Sequence, residues 1–382
     1  MLTTHEMLER LIAFPTVSSQ TNLPLIGFVR EYLASFGIES TLICDRDQLK
    51  ANLFATIGPS TEGGVVLSGH TDVVPALEEG WISSPWILTG RGGRLFGRGT
   101  CDMKGFVAIV LAAVPQMLAA KLKAPIHIAL SYDEEVGCMG AISLVDAMKE
   151  TVPPPRAVFV GEPTRMQVVN GHKSLLAFRT RVRGHAVHSS RMDLGVSAVM
   201  KAARLVTWLD ETMAANREGP AATGFLPPYT TLHCGVIEGG SAGNIVAEAC
   251  SFITDIRAVP QEDAREFRAR FERYIRSEIE PAMQAVHASS GVDIEDLSFI
   301  PALAPEPSGV AEDLACLLTG NTETAVVAFG TEAGIFQKAG WSTVVVGPGD
   351  IAQAHRVNEF IEQEQIAAGE AFIRRLIAHL SA

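Results

Sequence analysis

Five short apolar runs in this 382-residue chain each lead, through glycine or turn residues, to a histidine or an acid. They read Gly64-Val65-Val66-Leu67-Ser68-Gly69-His70, Leu95-Phe96-Gly97-Arg98-Gly99-Thr100-Cys101-Asp102, Ile126-His127-Ile128-Ala129-Leu130-Ser131-Tyr132-Asp133-Glu134-Glu135, Val158-Phe159-Val160-Gly161-Glu162 and Val344-Val345-Val346-Gly347-Pro348 with His355 beyond. Short apolar runs bounded this way predict buried strands. Ligands of open α/β sheets gather beyond the carboxyl ends of the strands. Two histidines and three acids converging there form a mixed nitrogen and oxygen donor set, which suits zinc or a similar divalent ion.

The surrounding pattern supports such a sheet. Thr4 to Ala13 and Leu25 to Phe36 have helical periodicity, the second preceded by Pro24. An apolar helix follows Asp102, and another spans Gly140 to Met148. Strands alternating with helices imply an α/β fold with a mostly parallel sheet and helices on both faces.

After His172 the order changes. A strand (175–182), a helix (196–209), two strands (230–237 and 249–259), a charged helix (261–279) and a last strand (292–300) follow. The order β-α-β-β-α-β predicts a ferredoxin-like insert. Three prolines between Pro301 and Pro307 mark the return to the first pattern, which ends in a helix from Glu362 to Leu380. The expected domains are therefore residues 1–173 plus 304–382, interrupted by 174–303.

Composition narrows the function. A net charge of −12 and the absence of a basic cluster argue against nucleic acid as a partner. The most apolar stretch, Gly105 to Ala120, contains Pro115 and Gln116 and is too short to span a bilayer. Met1 to Phe14 lacks a basic start followed by an apolar stretch, and the six cysteines lack metal-site or redox spacing. The expectation is a cytoplasmic protein with free thiols.

Six motifs then occur in a familiar order: Ser68-Gly69-His70-Thr71-Asp72-Val73-Val74-Pro75, Gly97-Arg98-Gly99-Thr100-Cys101-Asp102-Met103-Lys104-Gly105, Asp133-Glu134-Glu135, Gly161-Glu162-Pro163-Thr164, Gly184 with His188-Ser189-Ser190, and Ala354-His355. Through them nearly the whole chain resembles the di-zinc aminoacylase and carboxypeptidase family. That family includes acetylornithine deacetylase, succinyl-diaminopimelate desuccinylase and glutamate carboxypeptidases. The segment from Phe329-Gly330-Thr331-Glu332-Ala333-Gly334 to Gly340 most resembles the acetylornithine deacetylase branch.

The resemblance implies two divalent ions, zinc with cobalt as the alternative, about 3.5 Å apart and bridged by one carboxylate. Carried over, Asp102 is the bridge, His70 and Glu162 hold one ion, and Glu135 and His355 hold the other. The alternative for Asp102 is a helix N-cap. Glu134 becomes the general base, taking a proton from the attacking water and passing it to the leaving amine, work contributing about 10² to 10⁴ in rate. Glu134 and Glu135 are adjacent and so point apart, which leaves one for the metal and one for the water.

Asp72 lies on the same side of an extended chain as His70. Its carboxylate is expected to accept the free ring N–H of that histidine; a turn aspartate before Pro75 is the alternative. The resemblance also makes His188, rather than nearby His185, a lid donor to the tetrahedral oxyanion, often supplied from a partner subunit. Asn244 and Arg257 match substrate contacts, with Arg257 suited to clamp an α-carboxylate. An ion pair of Arg257 with Asp255 or Glu248 is the competing reading. Ile245-Val246-Ala247 follow Asn244 where the family usually has a proline. Cys101 has no His–Asp partner placed to make it a nucleophile.

The implied activity is removal of an acyl group from an N-acyl amino acid, N-acetyl-L-ornithine foremost, as a step of arginine biosynthesis in a homodimer joined through the insert. Glu332 is expected at the pocket edge, attracting a cationic side chain. The rivals are another N-acyl amino acid hydrolase, a desuccinylase, a metallo-dipeptidase or carboxypeptidase, and a non-catalytic metal-stabilised binding protein.

Overall fold

Four of the five apolar runs become adjacent strands in the computed structural model, which describes residues 1–77 and 79–382. The strands in the first part of the chain are β1 (Ser40–Cys44), β2 (Ala51–Ile57), β3 (Val65–His70), β4 (Thr89–Arg91), β5 (Arg94–Phe96), β6 (Ile126–Ser131), β7 (Ala157–Val160) and β8 (Val168–His172). Next come β9 (Leu175–Arg183), β10 (Thr231–Gly239), β11 (Ala249–Arg257) and β12 (Gly291–Ile300). Last are β13 (Thr324–Val327), β14 (Thr343–Val345) and β15 (Phe360–Glu362).

Eight of these form one sheet in the order β1-β2-β6-β3-β7-β14-β8-β13. Its centre, β6-β3-β7-β14, is parallel, and these are the strands of the four runs. Strands buried on both faces are apolar at most positions, which is why they show as runs and not as alternation. The flanking pairs β1–β2, β2–β6 and β14–β8 are antiparallel.

The second run departs from the expectation. Its strand β5 belongs to a separate three-stranded sheet in the order β15-β5-β4. Asp102 therefore arrives on a turn beside the large sheet and not at the end of one of its strands. The helix that follows, Lys104–Ala112, has Met103 as its N-cap with no side-chain capping bond, so Asp102 is not a cap.

Alternation along β3 decides what lies under each face. Val65 and Leu67 join the core made with the helices Thr4–Ile12, Lys104–Ala112 and Gln363–Ser381. Ser68 and His70 point to the other face, where Met139–Thr151 and Ala333–Lys338 pack.

The chain divides into two compact units, one of residues 1–171, 303–326 and 331–382, the other of 172–302 and 327–330. The second holds an antiparallel sheet in the order β10-β11-β9-β12 with helices Ala198–Arg217 and Ala264–Tyr274, the ferredoxin-like arrangement. Its core joins Leu176, Phe178 and Phe252 to Leu205, Leu209 and Phe271. The helix expected to run to Ile279 widens into a π turn over Ile275–Ile279. Pro281, which has no N–H to give to the helical ladder, lies two residues beyond it.

Candidate metal centre

The ends of β3, β6 and β7 and two turns bring the five expected ligands into two groups that share Asp102. His70, Asp102 and Glu162 form one; Asp102, Glu135 and His355 form the other, and within each group the ligand atoms lie within 4.8 Å of one another. Asp102 divides its oxygens. Oδ1 is 3.0 Å from His70 Nε2, and Oδ2 is 3.2 Å from His355 Nε2. Glu162 Oε1 is 3.8 Å from His70 Nε2, and Glu135 Oε2 is 2.9 Å from His355 Nε2. The His70 group is closed to solvent, whereas the His355 side chain is 54% exposed, which leaves the second group approachable.

Hydrogen bonding selects the His70 tautomer. Its Nδ1 donates to the backbone carbonyl of Asp72 at 2.9 Å, so Nε2 turns a lone pair toward carboxylates. A lone pair facing anions needs a cation or a proton between them. Glu135 Oε1 and Glu162 Oε1 are buried without a hydrogen-bond partner, as expected of atoms reserved for a cation. The residues present fit a pair of divalent ions.

Protonation behaviour agrees. Burial alone would depress His70, but the bond to Asp102 and the nearby Asp72 carboxylate outweigh it and raise it well above the usual range. Asp102 and Glu135 lift His355 to about 10. Burial favours the neutral form of Asp102, yet the bonds from His355 and His70 hold it below the usual carboxylate range. Glu162 and Glu135 are raised, first by burial and then by the neighbouring Asp102.

Asp72 is placed differently from the expectation. Its backbone carbonyl takes the His70 N–H, and its carboxylate Oδ1 is 3.6 Å from Nδ1. The carboxylate instead accepts the peptide N–H groups of Glu134 (3.1 Å) and Glu135 (3.3 Å) and the Ser18 hydroxyl (2.7 Å). It thereby sets the turn that carries both glutamates. Lys50 holds the same turn from the side, through Asp133 at 2.5 Å. Glu134 is partly buried, and burial together with Glu135, Asp102 and Asp72 outweighs the pull of His70 and raises it to about 8. The Cys138 thiol donates to its Oε1 at 3.3 Å.

Glu332 is not at a pocket edge. It is fully buried, and its carboxylate accepts the Ser68 hydroxyl at 2.6 Å and the Ser131 hydroxyl at 2.7 Å. It braces β3 and β6 on the face from which His70 projects. The role of reading a substrate's charge is withdrawn, because a carboxylate sealed between two strands meets no ligand.

His188, Asn244 and Arg257 belong to the second unit. His188 is exposed, and its segment pairs with the Asn244 loop: Ser189 N–H donates to the Asn244 carbonyl at 3.0 Å, and His188 bridges Ile245. Ser190 N–H donates to His188 Nδ1 at 3.2 Å, which leaves the ring proton on Nε2. The competing ion pair of Arg257 forms, with Nε 2.9 Å from Asp255 Oδ1.

Sequence reasoning missed Ser18, Lys50 and Glu359. Glu359 accepts the N–H of Asp102 and pairs with Arg98. No motif contains these residues, and their partners lie 54, 83 and 257 or more residues away.

Residues 66–379 match the model of peptidase family M20/M25/M40, and the chain belongs to this family of metallo-hydrolases. It is 35% identical to the acetylornithine deacetylase of Myxococcus xanthus over 97% of this chain and 96% of that one. Among solved structures it shares its fold with the M20 family metallo-carboxypeptidase Sso-CP2 of Sulfolobus solfataricus, with a TM-score of 0.80, 18% identity and all of both chains covered. It also resembles Bacillus subtilis YXEP, a dinuclear metal binding peptidase, with a TM-score of 0.68, 16% identity and 99% and 97% of the two chains covered. Among the described residues no helix is long and apolar enough to cross a membrane.

Proposed function

We propose that this chain is a binuclear metal-dependent amide hydrolase that releases L-ornithine and acetate from N-acetyl-L-ornithine. The observation that carries the chemistry is the division of Asp102 between two ligand groups with Glu134 beside them. The substrate reading is supported by relatives named acetylornithine deacetylase at 32–35% identity over nearly the whole chain. It no longer draws on Glu332.

His70, Asp102 and Glu162 would hold one ion and Asp102, Glu135 and His355 the other; when bound, zinc or cobalt supplies Lewis acidity toward the scissile carbonyl and water. The residues of the chain do the rest. Asp72 fixes the peptide groups of Glu134 and Glu135, so one carboxylate points to the ligand group and its neighbour stays available for proton transfer. Glu134 takes the proton of water as oxygen bonds to the acyl carbon. It then delivers that proton to the amine nitrogen as the C–N bond breaks. In this reading the Nε2–H of His188 donates to the oxyanion. Arg257 and Asn244 receive the α-carboxylate, and the second unit joins two copies of the chain in a homodimer.

The test is hydrolysis of N-acetyl-L-ornithine beside N-succinyl-diaminopimelate and a neutral N-acetyl amino acid, with and without chelator. Chelator-sensitive turnover led by acetylornithine is expected. Turnover led by another substrate would keep the metal chemistry and discard the substrate. Inactivity toward all three would discard the proposal.

A further inference from the structure

Glu359 lies outside every motif that marks the ligand groups, yet it is 1% exposed. Strand β15 begins at the next residue and pairs Phe360 with Phe96 of β5. The N–H of Gly97 donates to the Glu359 carbonyl at 3.1 Å. This register brings Glu359 to the point where the chain leaves β5 and turns toward Asp102. The turn closes around its carboxylate. Oε1 accepts the N–H groups of Cys101 (2.8 Å) and Asp102 (3.1 Å), and Oε2 accepts those of Gly99 (3.0 Å) and Arg98 Nη1 (2.6 Å). Gly99, at φ +86°, supplies the left-handed residue this turn requires.

Arg98 is itself buried, with Nη2 3.4 Å from the Pro75 carbonyl and its guanidinium 5.5 Å from the Trp81 ring centre. It neutralises Glu359, so the carboxylate can organise the turn without adding net charge beside the ligands.

Asp102 ends that turn and faces both histidines, while His355 lies four residues before Glu359 on the same segment. One buried carboxylate thus joins the loop bearing the shared ligand to the segment bearing another. We infer that Glu359 is a positioning residue that locks Asp102 and His355 in register, so that the two ligand groups assemble as one unit. The inference rests on the cation-binding half of the proposed function and not on its substrate.

The test is Glu359→Gln in the full chain, stripped of metal and titrated with Co²⁺ against a chromophoric chelator, with the visible Co²⁺ spectrum recorded at each equivalent. Glutamine keeps the shape but turns an NH₂ toward N–H donors, so the turn must shift. Both Co²⁺ affinities should fall about 10- to 100-fold, the range for residues that orient ligands, and the spectrum should change. Leu314→Ala, in the core of the same unit, serves as a destabilised control and should lower the melting temperature without changing Co²⁺ affinity. Unchanged affinities and spectrum in Glu359→Gln, or an equal loss in Leu314→Ala, overturn the inference. If Glu359→Gln does not fold, Arg98→Lys decides in the same titration. It keeps the charge but loses the fork, so weakened binding supports the inference and wild-type binding refutes it. A wild-type chain that binds two Co²⁺ yet hydrolyses no N-acyl amino acid sinks the proposed function and leaves this inference to its own titration. A wild-type chain that binds none sinks both.

Discussion

Replacing Glu332 separates a buried brace from a reader of substrate charge. The carboxylate accepts two buried serine hydroxyls, at 2.6 and 2.7 Å, and has no exposed surface. Leaving a buried hydroxyl without its partner costs about 1–3 kcal/mol. Glu332→Ala strands two of them and leaves a void, so the first unit should lose about 4 kcal/mol. For a unit of this size that corresponds to a melting transition about 10 °C lower. Glu332→Gln should cost within about 1 kcal/mol, since its oxygen accepts from one serine and its NH₂ donates to the other.

Burial raises the Glu332 carboxyl above its ordinary range. The sign of the pH effect follows. In the wild type the neutral carboxyl's contribution is intact below about pH 4.5 and is lost as pH rises through the folded value. Glutamine does not titrate, so Glu332→Gln should gain on the wild type as pH rises across that window. The assay is differential scanning calorimetry of the first-unit transition as pH is raised from below the ordinary carboxyl range, with kcat and KM for acetylornithine and a neutral N-acetyl amino acid measured alongside. Selective loss of acetylornithine turnover in Glu332→Gln, with the melting temperature unchanged, would refute the brace and restore the charge reader.

Other substitutions test the surroundings. Glu134→Gln should lower kcat by about 10² to 10⁴ with metal content unchanged, checked by turnover and elemental analysis; lost metal would mean that Glu134 is a ligand. Asp72→Asn offers the wrong group to one of its three donors and should cost about 10- to 100-fold in metal affinity or activity, read by Co²⁺ titration and kcat. Chelation should lower the first-unit melting transition, and each ion restored at about 100 times its Kd should return about 2.7 kcal/mol; a transition indifferent to metal would contradict the site. Gly161→Ala would put a methyl 2.1 Å from the Phe106 ring. Overpacking of that kind costs about 1–3 kcal/mol, a loss measurable by calorimetry.

Much of this protein was legible in one dimension. Strands covered on both faces are largely apolar, so β3, β6, β7 and β14 appeared as runs, and their ends and the turns beyond them carry four of the five candidate ligands brought together. The ferredoxin-like unit was legible because helix and strand periods differ and each is set by neighbours a few residues away. What escaped depended on partners far along the chain. The strand before Asp102 is three residues long, and its pairing with β4 and with distant β15 set it in another sheet. Glu332 read as a charge at a pocket edge until the fold set it against Ser68 and Ser131, 264 and 201 residues away. Glu359 found Arg98 across 261 residues. Local periodicity determines which residues form an element and which way they face. Which buried carboxylate meets which hydroxyl, guanidinium or N–H is decided only when the elements pack, because desolvation makes each such group find a partner wherever the topology supplies one.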